Sequence, residues 1–199
     1  MENVNSRGDS SQEPRRSDWP ISPLAEEDFD TGAANLYSEL GEGTRDLNIT
    51  RTLLHHPALL KAFTDFGFYF LETPLLSIRD RELMVLRLAW LCRCEYVWGQ
   101  HVVRCQREGI EDLDPESLLE GSDAETWSPR DRVLIRAVDE LHRDAKLSEV
   151  QGRALAAFYD PPRVIEAIFT VGQYGLICRI ANSCEIPLDP GLAGFPERT

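Results

Sequence analysis

Apolar side chains recur every three to four residues along most of the chain, which is the spacing of helices that bury one face. The clearest example follows Pro57, a residue that suits the first turn of a helix. No segment alternates apolar and polar residues in the way that requires a sheet. The pattern therefore predicts an all-α fold, a compact bundle of several helices. The apolar face after Pro57 consists of Leu59, Leu60, Phe63, Phe66 and Phe70.

Prolines, glycines and capping residues divide this pattern into separate helices. Ser77 is a predicted N-cap, and the helix after it is apolar on most of its circumference, so we expect it to be buried at the centre. Gly41-Glu42-Gly43 is interpreted as the end of the first helix. The predicted helices span about 35–40, 48–54, 58–71, 77–90, 94–108, 114–119, 128–142 and 148–158, with a last long one after Pro162 to about 184.

Two parts of the chain resemble each other in order and spacing, which an ancient duplication of a helical unit would explain. Capping chemistry alone also produces Ser-x-x-Asp often, so both explanations stay open. The first part carries the ionisable Glu82 and His101. The second has Val133 and Tyr174 at these positions. The matching segments are 77–83 with 128–134 and 99–101 with 172–174.

The chain has 199 residues, enough for one domain with a real core. Residues 1–30 are polar, contain proline and have few aliphatic side chains, so we expect a flexible N-terminal arm. Trp19 and Leu24 are apolar residues that could attach part of this arm to the body or to a neighbouring subunit. A single helical domain is expected over 31–199.

The net charge of −13 disfavours binding to nucleic acids and to anionic membrane surfaces. We find no apolar run of the roughly 18 residues that a membrane helix needs. The first residues lack the apolar stretch of a signal peptide. We therefore expect a cytoplasmic protein with no membrane partner. The five irregularly spaced cysteines are expected to be free thiols.

The residues most suited to chemistry fall on two neighbouring predicted helices. Cys94, Trp98 and His101 share one helical face, and Cys94 lies near the helix start, where the dipole lowers the pKa of a thiol. Glu82 lies on the preceding helix among apolar residues and needs a partner there. A Glu–His pair in an apolar setting can transfer protons near neutral pH, although buried histidines also serve packing alone. Metal-ligand spacings and glycine-rich phosphate motifs are absent, so no metal or cofactor is expected.

Three motifs together resemble one known superfamily over about residues 35–190. They are Arg81-Glu82-Leu83-x-x-Leu86, then Cys94-Glu95-Tyr96-Val97-Trp98-x-x-His101, then Gly109-Ile110. Their order is similar to that in the carboxymuconolactone decarboxylase and alkylhydroperoxidase D superfamily. The resemblance implies an alkylhydroperoxidase D-like helical bundle and homo-oligomers, commonly trimers or hexamers, with sites near subunit contacts.

The two branches of this superfamily differ at one position of the motif. The hydroperoxidase branch uses a Glu, two cysteines in Cys-x-x-Cys and a His, which correspond here to Glu82, Cys94 and His101. The second cysteine, which attacks the peroxide, falls on Val97, so that thiol cycle cannot run in the same way. The pattern Tyr-x-Trp-x-x-His resembles the decarboxylase branch more closely.

The resemblance implies a cofactor-independent lyase or isomerase that acts on a small carboxylated or lactone-like metabolite by acid–base chemistry. His101 is the expected proton donor and Glu82 orients it. Arg51 is a candidate carboxylate clamp, with an ordinary surface arginine as the equal alternative. Two other functions stay open: a thiol-dependent hydroperoxide reductase with Cys94 as its candidate redox residue, and a non-catalytic binding or assembly protein. Further candidates for substrate binding are Tyr96, Trp98 and Tyr174.

Overall fold

The computed structural model describes residues 19–196, and within this range the predicted all-α fold is confirmed. Ten α-helices form in the described residues, together with a short 3₁₀ helix, Glu26–Asp28, and there is no strand among them. The α-helices are α1 Thr31–Glu39, α2 Glu42–Arg45, α3 Asn48–Leu53, α4 Pro57–Glu72, α5 Ile78–Leu91, α6 Glu95–Arg107, α7 Pro115–Glu120, α8 Pro129–Asp144, α9 Glu149–Ala156 and α10 Pro161–Ser183.

Helix α5 lies at the centre of the bundle, as its sequence predicts. Its N-cap, Ser77, accepts a hydrogen bond from the Asp80 amide at 3.0 Å. Ten successive residues from Asp80 are buried, and α6, α7, α8 and α10 pack around them. Because this run is buried on all sides, its charged residues also lie inside the protein. They are Asp80, Arg81, Glu82 and Arg87. These charges need partners inside the bundle.

A tight left-handed turn joins α5 to α6 and makes them neighbours. Arg93 has φ of 52°, and its amide donates to the Trp90 carbonyl at 3.0 Å. The Cys94 amide donates to the Ala89 carbonyl at 2.9 Å, which completes a Schellman motif. The turn reverses the chain, so that the inner faces of the two helices meet.

The two matching Ser-x-Arg-Asp segments contact each other reciprocally. Arg79 pairs with Asp131 at 2.7 Å, and Arg130 pairs with Asp80. Each arginine thus neutralises the aspartate of the other segment, at the starts of α5 and α8. This arrangement agrees with a duplicated helical unit, which stays a prediction.

The start of the bundle differs from the prediction. Helix α1 begins at Thr31 because the Asp30 carboxylate accepts the Ala33 amide at 2.7 Å, four residues before the predicted start at 35. Gly41 does follow the end of α1, but it also forms the N-cap of α2. The first helix therefore ends at the glycine-rich stretch, as predicted, and this stretch also begins a second short helix.

Residues 22–30, which belong to the predicted N-terminal arm, contact the body. The Leu24 amide donates to the Arg51 carbonyl, and the Arg51 guanidinium donates to the Leu24 carbonyl, both at 3.2 Å. His55 forms a hydrogen bond with the Ser22 carbonyl at 3.0 Å. These backbone contacts depend on residues distant in sequence, so composition alone does not show them. The rest of the predicted arm, residues 1–18, lies outside the described residues.

Helix α10 is 23 residues long, and its most apolar window has a mean hydropathy of 1.4. By length and composition it passes a test for a membrane span, which the sequence analysis did not anticipate. Half of that window is buried in the bundle, where α10 packs against α5, α6, α8 and α9. Core helices pass the same test, so the apolar character of α10 does not indicate a membrane protein.

Candidate active site

Glu82 on α5 and His101 on α6 meet in the interior, as the sequence analysis expects. The distance between Glu82 Oε2 and His101 Nδ1 is 2.5 Å. The Glu82 side chain has no exposed surface, and that of His101 is 11% exposed. The contact is thus a buried acid–base pair in which only the His101 ring has some exposed surface.

Two arginines add positive charge around the Glu82 carboxylate. Arg81 Nε donates to Glu82 Oε1 at 3.0 Å, and Arg104 Nε lies 3.3 Å from the same oxygen. Burial by itself would raise the pKa of Glu82, but His101, Arg81 and Arg104 outweigh it and lower the pKa below its ordinary value. Glu82 is therefore ionised at neutral pH. An ionised carboxylate accepts the proton of Nδ1, which orients the His101 ring and selects its tautomer.

A cavity of about 490 Å³ lies beside His101, between α3, α4, α6 and α10. Its α4 side is apolar and includes Phe63 and Phe68. Among the described residues, the hydrogen bonds of His101 involve Nδ1 alone, so Nε2 is available to a bound molecule. This volume is suited to a small metabolite. The polar side chains that line it include Gln100, His101, Arg104, Arg107, Gln173 and Tyr174.

Tyr174 contacts His101 across the cavity wall. The two rings are nearly perpendicular, with centroids 4.9 Å apart. Burial, together with the negative charge of Glu82, raises the pKa of Tyr174 to about 12. The hydroxyl is thus protonated near neutral pH, and within residues 19–196 it has no hydrogen-bond partner. Tyr174 is therefore able to donate a hydrogen bond to a ligand.

Tyr96 lines the cavity with its ring, but its hydroxyl is already engaged. That hydroxyl donates to Asp189 Oδ2 at 2.5 Å and accepts from the Ile49 amide at 3.2 Å. Gln100 also donates to Asp189 Oδ2, at 2.6 Å. Burial and the Asp189 carboxylate raise the pKa of Tyr96 well above its ordinary value. The structure thus gives this hydroxyl a positioning role, which ties α3 and α6 to the C-terminal segment.

Trp98 and Arg51, two predicted substrate-binding residues, lie away from the cavity. The Trp98 ring packs edge-on against Phe195, with centroids 5.3 Å apart. Each residue of a helix is rotated by about 100° from the last, so Trp98 lies on a different side of α6 from the cavity. The Arg51 guanidinium binds Glu26 at 3.0 Å and Asp46 at 3.2 Å. The structure therefore places Trp98 and Arg51 outside the cavity beside His101.

Arg104 and Arg107 are cavity residues that the sequence analysis missed. Arg104 Nε is buried without a hydrogen-bond partner, although it faces Glu82. Arg107 forms no ion pair with any described residue. The available signal was spacing, because Val97, His101, Arg104 and Glu108 recur at three and four residues on one side of α6. Two cations, Arg104 and Arg107, thus line the cavity, together with the carboxylate of Glu108.

Cys94, the candidate redox residue, does not line the cavity. Its side chain is buried at the N-cap of α6. A hydrogen bond with the Cys178 thiol and the backbone amides of Val97 and Tyr96 lower the pKa of Cys94. The predicted lowering at a helix start is thus present, but the thiol has no contact with the Glu82–His101 pair.

Known proteins show the same fold. A structure described as the alkylhydroperoxidase AhpD core, from Ralstonia eutropha JMP134, has a TM-score of 0.71 and 19% identity, covering 86% of this chain and 94% of that chain. The structure of the debrominase Bmp8 has a TM-score of 0.70 and 13% identity, covering 85% of this chain and 92% of that chain. An uncharacterized peroxidase-related protein from Silicibacter sp. TM1040 has a TM-score of 0.68 and 16% identity, covering 90% of this chain and 96% of that chain. At these identities the likeness concerns the fold.

A family model agrees with these structures. The model described as Carboxymuconolactone decarboxylase family matches residues 57–140, which contain both Glu82 and His101. A search of curated protein sequences finds no significant match. The family match and the shared fold do not single out the decarboxylase branch. The motifs, the fold and the family match thus agree in their similarity to the carboxymuconolactone decarboxylase and alkylhydroperoxidase D-like superfamily.

Proposed function

We propose that the chain is a cofactor-independent lyase or isomerase that uses His101 to move a proton on a small carboxylated or lactone-like metabolite. The observation that carries this proposal is the buried Glu82–His101 pair at 2.5 Å, with His101 also lining the cavity. The family contains carboxymuconolactone decarboxylases by name, and a lactone acid of that kind suits a cavity of about 490 Å³.

The proton transfer follows from the contacts of His101. The ionised Glu82 accepts the Nδ1 proton, so Nε2 is the atom that exchanges a proton with the ligand. In a decarboxylation, the bond from carbon to the carboxylate breaks and its electrons move into the unsaturated lactone carbonyl. Protonated His101 then donates from Nε2 to the carbon of the resulting enolate and regains a proton from water. The Tyr174 hydroxyl is placed to donate to the carbonyl oxygen.

Arg104 and Arg107 are the proposed binding groups for the ligand carboxylate. They lie three residues apart on α6, and both line the cavity. Replacement of either by Gln removes a charged hydrogen bond worth about 1.5–3 kcal/mol, which is roughly 10- to 100-fold in KM. We expect kcat to change much less in Arg107→Gln, whereas Arg104→Gln also removes a positive charge beside Glu82 and should lower kcat as well. An unchanged KM in both variants would exclude them as the carboxylate site.

The central experiment replaces His101. We expect His101→Gln and His101→Ala to lose turnover of carboxymuconolactone, followed by CO₂ release and by substrate absorbance, while far-UV circular dichroism stays unchanged. The matched control is His142→Gln, since His142 is exposed and lies outside the cavity. If carboxymuconolactone is inert, the same variants are compared in deuterium uptake at carbon by a panel of lactone acids. Wild-type rates in both His101 variants would refute the proposal.

The reductase alternative has less support in the cavity. Cys94 is buried outside it, and Val97 replaces the second cysteine of the motif. Peroxide consumption with a dithiol reductant that disappears in Cys94→Ser would favour that alternative. The fold also occurs in a debrominase, so it carries more than one reaction.

We also propose that the protein acts in the cytoplasm as a homo-oligomer, a trimer or hexamer. Phe66 on α4 and Phe169 on α10 are 43% and 53% exposed, and their rings lie 6.2 Å apart. Exposed apolar patches of this kind mark association surfaces, and α4 and α10 also form walls of the cavity. Light scattering should show a smaller assembly for Phe169→Glu. The control is Val150→Glu on α9, where an exposed valine stands apart from this patch. A monomeric wild type would contradict this proposal.

A further inference from the structure

A second cavity, of about 400 Å³, lies where the starts of α5, α8 and α10 come together. Asp80, Arg130 and Arg163 line it from these three helices, and the loop before α5 and the end of α9 complete it. None of the described residues that line it also lines the cavity beside His101. The proposed acid–base function therefore leaves this second cavity unexplained.

The Asp80 carboxylate, which lines the second cavity, has donors on only one of its two oxygens. The Tyr159 hydroxyl donates to Asp80 Oδ2 at 3.0 Å, and Arg130 Nη2 donates to the same oxygen. Asp80 Oδ1 is buried and has no hydrogen-bond partner among the described residues. A buried carboxylate oxygen without a donor is unfavourable, so we expect the second cavity to bind a group that donates to it.

The matching segment at the start of α8 shows the same carboxylate with a complete set of donors. Asp131 stands where the first segment has Asp80. Arg79 donates to Asp131 Oδ1 through Nη1 at 2.7 Å and to Oδ2 through Nη2 at 3.3 Å. The Ser128 hydroxyl also donates to Asp131 Oδ2, at 2.8 Å. Asp80 differs from Asp131 by lining a cavity at this point, which favours a donor from outside the chain.

Two arginines that line the second cavity can each bind one more acceptor. Arg130 uses Nε and Nη2 for its bonds to Tyr159 and Asp80. Arg163 uses Nε and Nη1 for its bonds to the Leu75 carbonyl and to the N-cap of α10. None of these bonds involves Nη1 of Arg130 or Nη2 of Arg163. Because guanidinium groups bind carboxylates well, an acidic group is the preferred acceptor.

The wall of the second cavity between α4 and α5 is held in place by a buried glutamate. Glu166, on α10, accepts the Leu75 amide at 2.8 Å and the Leu76 amide at 3.0 Å. The side chains of Leu75 and Phe158 are exposed and give this cavity an apolar surface. A wall fixed before binding lowers the entropy that a ligand must lose there.

We propose that the second cavity binds a free α-amino acid with an apolar side chain. The charged residues that line it are two aspartates and two arginines, whose formal charges cancel, so a ligand of zero net charge is favoured. The ammonium group donates to Asp80 Oδ1, and the carboxylate accepts from Arg130 and Arg163. Both groups are attached to one carbon, which suits the direct contact between Asp80 and Arg130. The apolar side chain packs against Leu75 and Phe158.

The test compares three ligands of the same shape by isothermal titration calorimetry on the full chain. They are L-phenylalanine, phenethylamine, which lacks the carboxylate, and 3-phenylpropionate, which lacks the ammonium group. We expect phenylalanine to bind with 1:1 stoichiometry and each analogue to bind roughly tenfold or more weakly, because each loses charged hydrogen bonds. Equal or tighter binding of either analogue would overturn the proposal, and so would the absence of binding by phenylalanine, leucine and methionine. This comparison needs only the wild type.

Variants locate the binding site. Arg163→Gln should weaken phenylalanine binding roughly tenfold or more. The matched control is Arg153→Gln, since Arg153 is an exposed arginine that pairs with Glu149 on α9, and it should keep the wild-type affinity. His101→Gln should keep it too, so amino-acid binding and the proposed acid–base function can fail independently. Loss of binding in His101→Gln with wild-type affinity in Arg163→Gln would place the ligand beside His101 and overturn the proposal.

Discussion

Replacement of Glu82 by Gln should destabilise the protein strongly, because the carboxylate is the shared counter-charge of three groups. Glu82 contacts His101 at 2.5 Å and Arg81 at 3.0 Å, and Arg104 lies at 3.3 Å. Neither Glu82 nor Arg81 is solvated, so water cannot replace the lost contacts. Removal of one partner of a buried ion pair costs about 3–5 kcal/mol. Gln keeps one acceptor oxygen, so we expect the lower end, about 3 kcal/mol.

The loss of stability caused by Glu82→Gln should depend on pH. The pKa of Glu82 is lowered by folding, so its contribution to stability is complete above the ordinary glutamate pKa of about 4.3. It disappears as the pH falls through the lower pKa of the folded state. The wild type should therefore exceed Glu82→Gln in unfolding free energy at neutral pH, and the difference should shrink in acid.

Urea unfolding followed by far-UV circular dichroism measures this difference. For a chain of this size, about 3 kcal/mol corresponds to a fall of roughly 6–12 °C in Tm. The matched control is Glu149→Gln, where an exposed glutamate pairs with the exposed Arg153 on α9. That change should stay within about 0.5 kcal/mol. The reasoning fails if Glu82→Gln matches the wild type at neutral pH, or if the difference persists unchanged in acid.

Three further predictions concern the surroundings of the site. Tyr174→Phe should leave Tm nearly unchanged but lower turnover. Tyr96→Phe should lower the unfolding free energy measured in urea by about 1.5–3 kcal/mol, because the hydrogen bond from its hydroxyl to the Asp189 carboxylate is lost. Gly99→Ala should cost about 1–3 kcal/mol and speed proteolysis near the C-terminus, since its Cβ would lie 2.7 Å from a carbonyl oxygen there. Arg51→Ala should speed hydrogen exchange around Leu24 without changing KM; a raised KM would restore Arg51 as a carboxylate clamp.

The helices could be predicted from sequence because their signals are local. Ser77, Ser128 and Ser148 each accept the amide three residues later, as expected for N-caps. The central position of α5 followed from the near absence of a polar face. The early start of α1 was missed because its cap, Asp30, precedes a segment with little apolar periodicity.

The site was only partly predictable, for a physical reason. Glu82 and His101 were found because a charged residue among apolar neighbours needs a partner. The contact of Arg51 with Glu26 was not predictable, because the two residues are 25 apart in sequence and no spacing rule reports such a contact. The same holds for Asp189, which binds Tyr96 from the C-terminal segment. Periodicity describes one helix at a time, whereas a cavity wall is assembled from several.

The cavity is lined by helices from two parts of the chain, and this division bears on how specificity for a ligand can change. The Glu82–His101 pair lies within the stretch 57–140 that the family model matches, and so do Arg104 and Arg107. Much of the opposite wall comes from α3 and α10, outside that stretch. Substitutions at Leu53 or Gln173 can therefore reshape the space for a ligand without touching the acid–base pair. Relatives that share the segment matched by the family model can keep the same buried acid–base pair while the rest of the cavity changes, and an engineer can vary the two parts separately.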